Sequence, residues 1–132
     1  MKKINLVVSL SFLIVLLFVT PVIGLSDWVK YETDDMGNVL SYNRNRIKHR
    51  TKNIIQVWTD IVFSDEGRQK YVQIWKNNGK STEGYNKLFK GVYLHEIDCK
   101  NDKYQSLSVN YYDTDGTILL NIYTNEPKWS GV

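Results

Sequence analysis

Three alternating runs joined by two short turns constrain the fold of this chain more than any other feature. In the middle run the apolar residues Leu107, Val109 and Tyr111 alternate with polar ones, as in a strand that has one face on a core and one in water. The two turns are too short for a crossover between parallel strands. The pattern therefore predicts an antiparallel meander with these strands: Val92 to Cys99, Tyr104 to Tyr112 and Thr117 to Tyr123.

The residues before the meander predict a hairpin and a long strand. Trp28 to Thr33 reads as a short strand, and Asp34 to Asn38 is a turn rich in residues that accept a positive φ. Val39 to Tyr42 then returns as its partner. Ile54 to Phe63 is dense in β-branched and aromatic residues, which makes it the strongest strand in the chain.

One amphipathic helix is predicted over residues 65 to 77. Ser64 offers an N-cap, and acidic residues follow in the first turn, where the helix dipole favours them. Tyr71, Ile74 and Trp75 form an apolar stripe that Val72 widens, whereas Gly67 weakens the first turn. The predicted class is α+β, with an antiparallel sheet of about five to six strands and this helix packed on it.

The first 24 residues have the pattern of a secretory signal peptide. Lys2 and Lys3 precede an apolar run from Ile4 to Val19, and small residues follow near Gly24. Cleavage after Ser26 and an uncleaved membrane anchor are the alternatives. We expect a signal peptide over 1–24, a single domain over 25–132, and export without stable membrane insertion. No cysteine near residue 24 offers lipid attachment, so a periplasmic, outer-surface or extracellular protein that is not a lipoprotein is expected.

The charge of the expected mature chain is close to neutral. The full sequence of 132 residues carries a formal charge of +3, and removing Lys2 and Lys3 lowers Lys and Arg from 17 to 15 against 14 Asp and Glu. A globally basic nucleic-acid binder is therefore excluded, since its affinity comes from neutralising many phosphates. Nucleic acid is not an expected partner.

One stretch is locally basic and is the predicted partner-binding site. An extended conformation would place its five cationic side chains on one face, where they could grip anionic polysaccharide, lipid head groups or an acidic protein patch. The alternative is a solvated connection in which Lys48 to Asn53 form a turn and the charges diverge. The five residues are Arg44, Arg46, Lys48, Arg50 and Lys52.

Sequence patterns for catalysis or metal binding are weak. The two histidines, His49 and His95, lack the further ligands that a metal site needs. The Asp-rich turn before Gly116 resembles the start of a calcium loop, but the following strand carries no carboxylate. We expect no catalytic residue, no cofactor and no metal. The alternative function is a small secreted hydrolase that uses Glu96 or Asp98 with His95.

Cys99 is the single cysteine of the chain, and the sequence fits two roles for it. A lone cysteine cannot form an intramolecular disulfide, so it is either a buried thiol or a link between two chains. A structural envelope protein that self-associates, through Cys99 or by pairing of strand edges, is therefore a further alternative. A homodimer is its expected form.

The mature chain resembles the surface-adhesin protein E family over most of residues 28 to 129. The most specific element is Ile-Asp-Cys followed about ten residues later by Tyr-Tyr-Asp and a glycine turn, within a pattern of spaced aromatic residues. The residues of the resemblance include Trp28, Trp58, Asp98, Cys99, Tyr111, Tyr112, Gly116 and Trp129.

The resemblance implies a small exported bacterial protein with an antiparallel sheet of about six strands and a packed helix. Its best-known member is a surface adhesin that binds host matrix proteins such as vitronectin and laminin. Relative to that adhesin, we expect this chain to be without the lipid-bearing cysteine and the C-terminal helix, and Cys99 has no second cysteine in the sequence. We therefore expect an exported, non-enzymatic binding protein of the bacterial envelope or surface that engages a protein or an anionic polysaccharide. We assign none of that adhesin's contact residues to positions of this chain.

Overall fold

The computed structural model describes residues 26–131, which form one antiparallel sheet with one α-helix on a face. The segment predicted as a signal peptide lies outside the described residues. Short 3-10 turns occupy Arg44–Arg46 and Tyr85–Lys87. The elements are β1 (Trp28–Thr33), β2 (Val39–Asn43), β3 (Lys48–His49), β4 (Ile54–Val62), α1 (Asp65–Asn77), β5 (Leu88–Asp98), β6 (Lys103–Asp113), β7 (Ile118–Tyr123) and β8 (Ser130–Gly131).

The sheet has eight strands, and its main path runs in the order β1-β2-β4-β5-β6-β7. The two-residue strands β3 and β8 pair with β4 and β6. Every pairing is antiparallel, and consecutive hairpins join the strands from β5 to β7. The α+β class and the meander predicted from the sequence are confirmed.

β5 begins earlier than the sequence pattern indicates. It starts at Leu88 rather than Val92, and a register shift against β6 lies between Leu88 and Lys90. This irregularity breaks the alternation of apolar and polar residues, so the pattern becomes regular only from Val92. Leu88 is fully buried, which makes the missed segment part of the core.

The helix α1 has the bounds predicted from its capping residues. The Ser64 hydroxyl accepts a hydrogen bond from the Gly67 N–H at 2.9 Å, as an N-cap does. Tyr71, Val72 and Trp75 pack on the core, but Ile74 is 49% exposed. The buried stripe is therefore narrower than predicted, because Ile74 lies at the edge of the helix–sheet contact.

The core lies between α1 and one face of the sheet, which we call the covered face. Its buried members are Phe63, Tyr85, Leu88 and Tyr111. The rings of Tyr71 and Trp75 on α1 lie 5.5 and 5.8 Å from the ring of Tyr111 on β6. Such aromatic pairs bury large areas and hold the helix on the sheet. We call the opposite side of the sheet the open face.

No helix in the described part of the chain is long and apolar enough to cross a membrane.

Candidate binding face

The open face carries a row of residues that crosses the sheet from β2 to β7. Residues directly opposite each other in an antiparallel pair project to the same side of the sheet. The pairing of β2, β4, β5, β6 and β7 therefore aligns five side chains on the open face: Ser41, Asp60, Val92, Asn110 and Asn121. This row places two polar groups, Asp60 and Asn110, on either side of the apolar Val92.

Asp60 is a buried carboxylate with one free oxygen. Its side chain is 4% exposed, and its Oδ2 pairs with the Lys90 Nζ at 2.6 Å. The Lys90 Nζ also lies 4.7 Å from the centre of the Trp28 ring, a cation–π contact across the face. Asp60 Oδ1 accepts no hydrogen bond from any described residue. Lys90 therefore neutralises the charge of Asp60, but only one of the two carboxylate oxygens has a partner.

Asn110 repeats this feature on the other side of Val92. Its Oδ1 is also buried and accepts no hydrogen bond from the described residues. A buried acceptor without a donor costs about 1–3 kcal/mol, and native proteins keep few of them. Asp60 and Asn110 thus each leave a buried acceptor in the same row without a donor among the described residues.

A pocket opens at the end of the open face near the β6–β7 turn. It has a volume of about 310 Å³ and is lined largely by apolar atoms. Val92 and Lys90 contribute from β5, Tyr112 contributes from β6, and the 43% exposed ring of Phe89 adds a second aromatic side chain. The pocket thus adjoins the row that contains Asp60 and Asn110.

The basic stretch is not one extended strand. A 3-10 turn over Arg44–Arg46 interrupts it, and only Lys48 and His49 pair with β4. Of the two alternatives, the extended conformation that would align all five cations is therefore not adopted, because local turns divide the stretch. All five residues, Arg44, Arg46, Lys48, Arg50 and Lys52, are exposed.

Three of these cations nevertheless lie along one end of the open face. The Arg46 guanidinium lies 6.0 Å from the centre of the Trp58 ring, and Lys48 is paired opposite Gln56. Arg50 Nε lies 3.9 Å from Glu96 Oε1. We call Arg46, Lys48 and Arg50 the basic rim. Its role in binding stays a prediction.

The groups of the alternative hydrolase site do not converge. Glu96 is held on the open face, where the amides of Gln56 and Gln105 donate to its two oxygens at 2.9 and 2.7 Å. His95 directly precedes Glu96 on β5 and projects to the covered side, where its Nδ1 lies 3.0 Å from the Ser106 hydroxyl. One ring nitrogen therefore has a partner, and burial lowers the pKa of His95, which favours its neutral form.

Asp98 stabilises the β5–β6 hairpin rather than a reaction centre. Its carboxylate accepts hydrogen bonds from the side chain of Asn101 and from the backbone N–H groups of Lys100 and Asn101. These bonds, led by that of the Asn101 side chain, lower the pKa of Asp98. Asp98 therefore stays ionised as a turn cap.

Cys99 is exposed at the start of the same turn, so the expectation of a buried thiol is wrong. The reason is local: the strand ends at Asp98, and Cys99 leads into the connecting turn.

The other residues of the family pattern are divided among core, face and turn. Tyr111 is buried under α1. Trp58 on β4 and Tyr112 on β6 lie on the open face. Gly116 adopts a φ of +80° in the β6–β7 turn, a conformation that favours glycine. Trp129 is 41% exposed just before β8. The pattern thus combines buried residues that define the fold with residues that are partly exposed.

Sequence reasoning missed the central polar groups of the open face. Asp60 was a weak signal, since it is a carboxylate inside the most apolar strand of the chain. Asn110 looked like an ordinary solvent-facing residue of an alternating strand. Only the pairing of three strands, β4, β5 and β6, brings Asp60, Lys90 and Asn110 together.

The geometry defines a class of protein: a small α+β domain with a helix on one side of an antiparallel sheet and an open face of aromatic and polar side chains on the other. The family model described as surface-adhesin protein E matches residues 28–132, and the chain belongs to this family. No curated protein and no solved structure matches the chain. Family membership confirms the resemblance and indicates an exported or surface protein with an adhesin-like role.

Proposed function

We propose that the protein is an exported, non-enzymatic adhesin-type protein that binds an anionic macromolecule, a protein or a polysaccharide, through the basic rim. The observation that carries this proposal is the convergence of Arg46, Lys48 and Arg50 at one end of the open face. A flat surface of this kind suits an extended partner better than a small substrate.

The electrostatics of the chain support a local contact rather than a general attraction. The described domain is close to neutral overall, so only a cluster of like charges can attract an anionic partner. The rim cations are exposed and are weakly paired, since the one ion pair among them spans 3.9 Å. Binding through them is therefore salt-dependent.

The dispersal of ionisable groups supports the non-enzymatic part of the proposal. Glu96 and His95 project to opposite sides of β5, and Asp98 caps a turn. Among residues 26–131 no group of three or more His, Cys, Asp and Glu side chains is placed to hold a metal ion. The family and the apolar leader sequence support export.

The test removes the three rim charges together in the variant Arg46→Gln, Lys48→Gln, Arg50→Gln. Retention on immobilised heparin is measured in a salt gradient, with circular dichroism as the check on folding. We expect the variant to elute at clearly lower salt than the wild-type protein, because fewer cations contact the polyanion.

The matched control removes three exposed charges from the other side of the molecule, as Lys70→Gln, Lys76→Gln, Lys80→Gln. Both variants lower the net charge equally, so only position distinguishes them. Equal retention of the rim variant and the wild-type protein, or an equal loss in the control, would sink the proposal.

A further inference from the structure

We propose that Asn78 is a site of spontaneous deamidation and that the C-terminal end of α1 controls how fast it reacts. Asn78 precedes Gly79, and this is the one Asn-Gly pair in the sequence. In such a pair the backbone N of the glycine approaches the side-chain carbonyl carbon of the asparagine most easily, because glycine has no Cβ in the way. Both residues are exposed, so water and base reach them.

The reaction needs water as its only co-reactant. The Gly79 N attacks Cγ of Asn78, and the bond between Cγ and Nδ2 breaks. The amide group leaves as ammonia and takes up the proton that the Gly79 N gives up, which closes a five-membered succinimide ring. Water then opens either carbonyl of the ring and leaves aspartate or isoaspartate at position 78. No oxidation or reduction takes place, and the chain gains one negative charge.

The folded chain engages both reacting groups in hydrogen bonds to the last turn of α1. The Gly79 N–H donates to the Lys76 carbonyl at 3.0 Å, and Asn78 Nδ2 donates to the Ile74 carbonyl at 2.9 Å. Attack requires that the Gly79 N loses its proton and that the Asn78 side chain turns towards it. Both hydrogen bonds oppose these changes, so the closed turn protects Asn78.

This protection lasts only while the last turn of α1 stays closed. A further hydrogen bond, from the Lys80 N–H to the Trp75 carbonyl at 3.0 Å, and a φ of +68° at Gly79 complete a glycine C-cap. Helix ends fray, and such local opening costs much less free energy than global unfolding. The space beside Gly79 is open, so no packed side chain opposes the opening. Asn78 therefore reacts through the open form of this cap.

Deamidation weakens the same turn that protects against it. A negative charge at the C-terminal end of a helix is unfavourable, because the carbonyl groups there carry partial negative charge. The product also lacks the Nδ2 donor that binds the Ile74 carbonyl. The turn adjoins the core through Trp75, whose ring lies 5.3 Å from that of Tyr85. Reaction at Asn78 is thus a one-way loosening of the helix end, on the covered face rather than at the basic rim.

The test follows the conversion of amide to acid by peptide mass spectrometry at mildly alkaline pH, in the folded protein and in the protein unfolded by guanidinium. We expect position 78 to be the first asparagine to react in both states. It should react about tenfold more slowly in the folded protein, since only the open cap is reactive. Asn78→Gln should remove this fast conversion, because the longer side chain closes a six-membered ring less readily.

Two variants of Lys80 test the control by the cap. Lys80→Pro removes the N–H that binds the Trp75 carbonyl, whereas Lys80→Ala removes only the side chain and keeps that N–H. Circular dichroism checks that both are folded. We expect Asn78 to react several-fold faster in folded Lys80→Pro than in the wild type, and at an unchanged rate in Lys80→Ala. Asn78→Asp, which carries the charge of one product, should speed amide hydrogen exchange at Gly79.

Three results would overturn this assignment. Faster conversion of another asparagine in the unfolded chain would show that Asn78 is not the reactive site. Equal rates at Asn78 in the folded and the unfolded protein, or equal rates in folded Lys80→Pro and the wild type, would show that the cap does not control the reaction. All of these measurements are made without a binding partner, so they stand whether or not the basic rim binds a polyanion.

Discussion

At the scale of single residues, Gly67 shows why a residue that weakens a helix can still be required. It is the one buried residue of α1, and a Cβ at this position would lie 1.9 Å from Asn38 Oδ1. Asn38 is 1% exposed and cannot move aside freely. Its Oδ1 accepts from the Ser64 N–H at 2.9 Å, and its Nδ2 donates to Asp34 Oδ2 at 2.8 Å. Gly67 therefore makes room for the amide that joins the β1–β2 turn to α1.

Gly67→Ala should destabilise the protein, although the same change in an exposed helix stabilises it by about 1 kcal/mol. We expect a loss of about 1–3 kcal/mol in the free energy of unfolding, because the added methyl group displaces Asn38. Urea denaturation measures the change, and Gln73→Ala on the exposed side of α1 is the control. A Gly67→Ala protein as stable as the wild type would show that Asn38 has room to shift.

At the scale of elements, the sequence predicts those features that depend on neighbouring residues in the chain, such as the start of a helix. The start of α1 follows from Ser64 and the first-turn acids, so the local sequence is sufficient to place it. The start of β5 depends on a register shift against β6, which no single strand encodes. The open-face row depends on partners in five strands, so the sequence shows Asp60 as a carboxylate in an apolar strand but not its alignment with Val92 and Asn110. The sequence showed that the stretch from Arg44 to Lys52 is basic. Which of its cations share a face depends on the local turns, which the charge pattern does not reveal.

The N-cap of α1 also connects two elements, and its removal should have a larger effect than that of an isolated cap. Ser64 Oγ accepts from the Gly67 N–H and donates to the Met36 carbonyl in the β1–β2 turn. Ser64→Ala removes both bonds, for an expected loss of about 1–2 kcal/mol in unfolding free energy. Chemical denaturation tests this, with the exposed Ser81→Ala as the control. A loss no greater than that of Ser81→Ala would contradict the role of this cap.

At the scale of the whole molecule, a chain of tyrosine hydroxyls joins the helix to the sheet. The Tyr71 hydroxyl on α1 donates to the Tyr111 hydroxyl on β6, which lies 2.9 Å from the Tyr93 hydroxyl on β5. Burial raises the pKa of Tyr71 to about 12 and raises the pKa of Tyr93 and Tyr111 as well. The folded protein therefore holds these phenolic protons more tightly than the unfolded chain does.

This difference predicts that stability falls with rising pH in the alkaline range. Tyrosines of the unfolded chain lose their protons near pH 10, where the folded protein still keeps its own, so that unfolding releases protons. Stability from Tyr71 is complete below pH 10 and is lost as the pH rises to about 12, with a slope of up to about 1.4 kcal/mol per pH unit for each such tyrosine. Urea unfolding at a series of pH values measures the slope. Tyr71→Phe should flatten it, whereas Tyr123→Phe, at a 68% exposed position, should not. An unchanged slope in Tyr71→Phe would mean that burial in the folded protein does not raise the pKa of Tyr71.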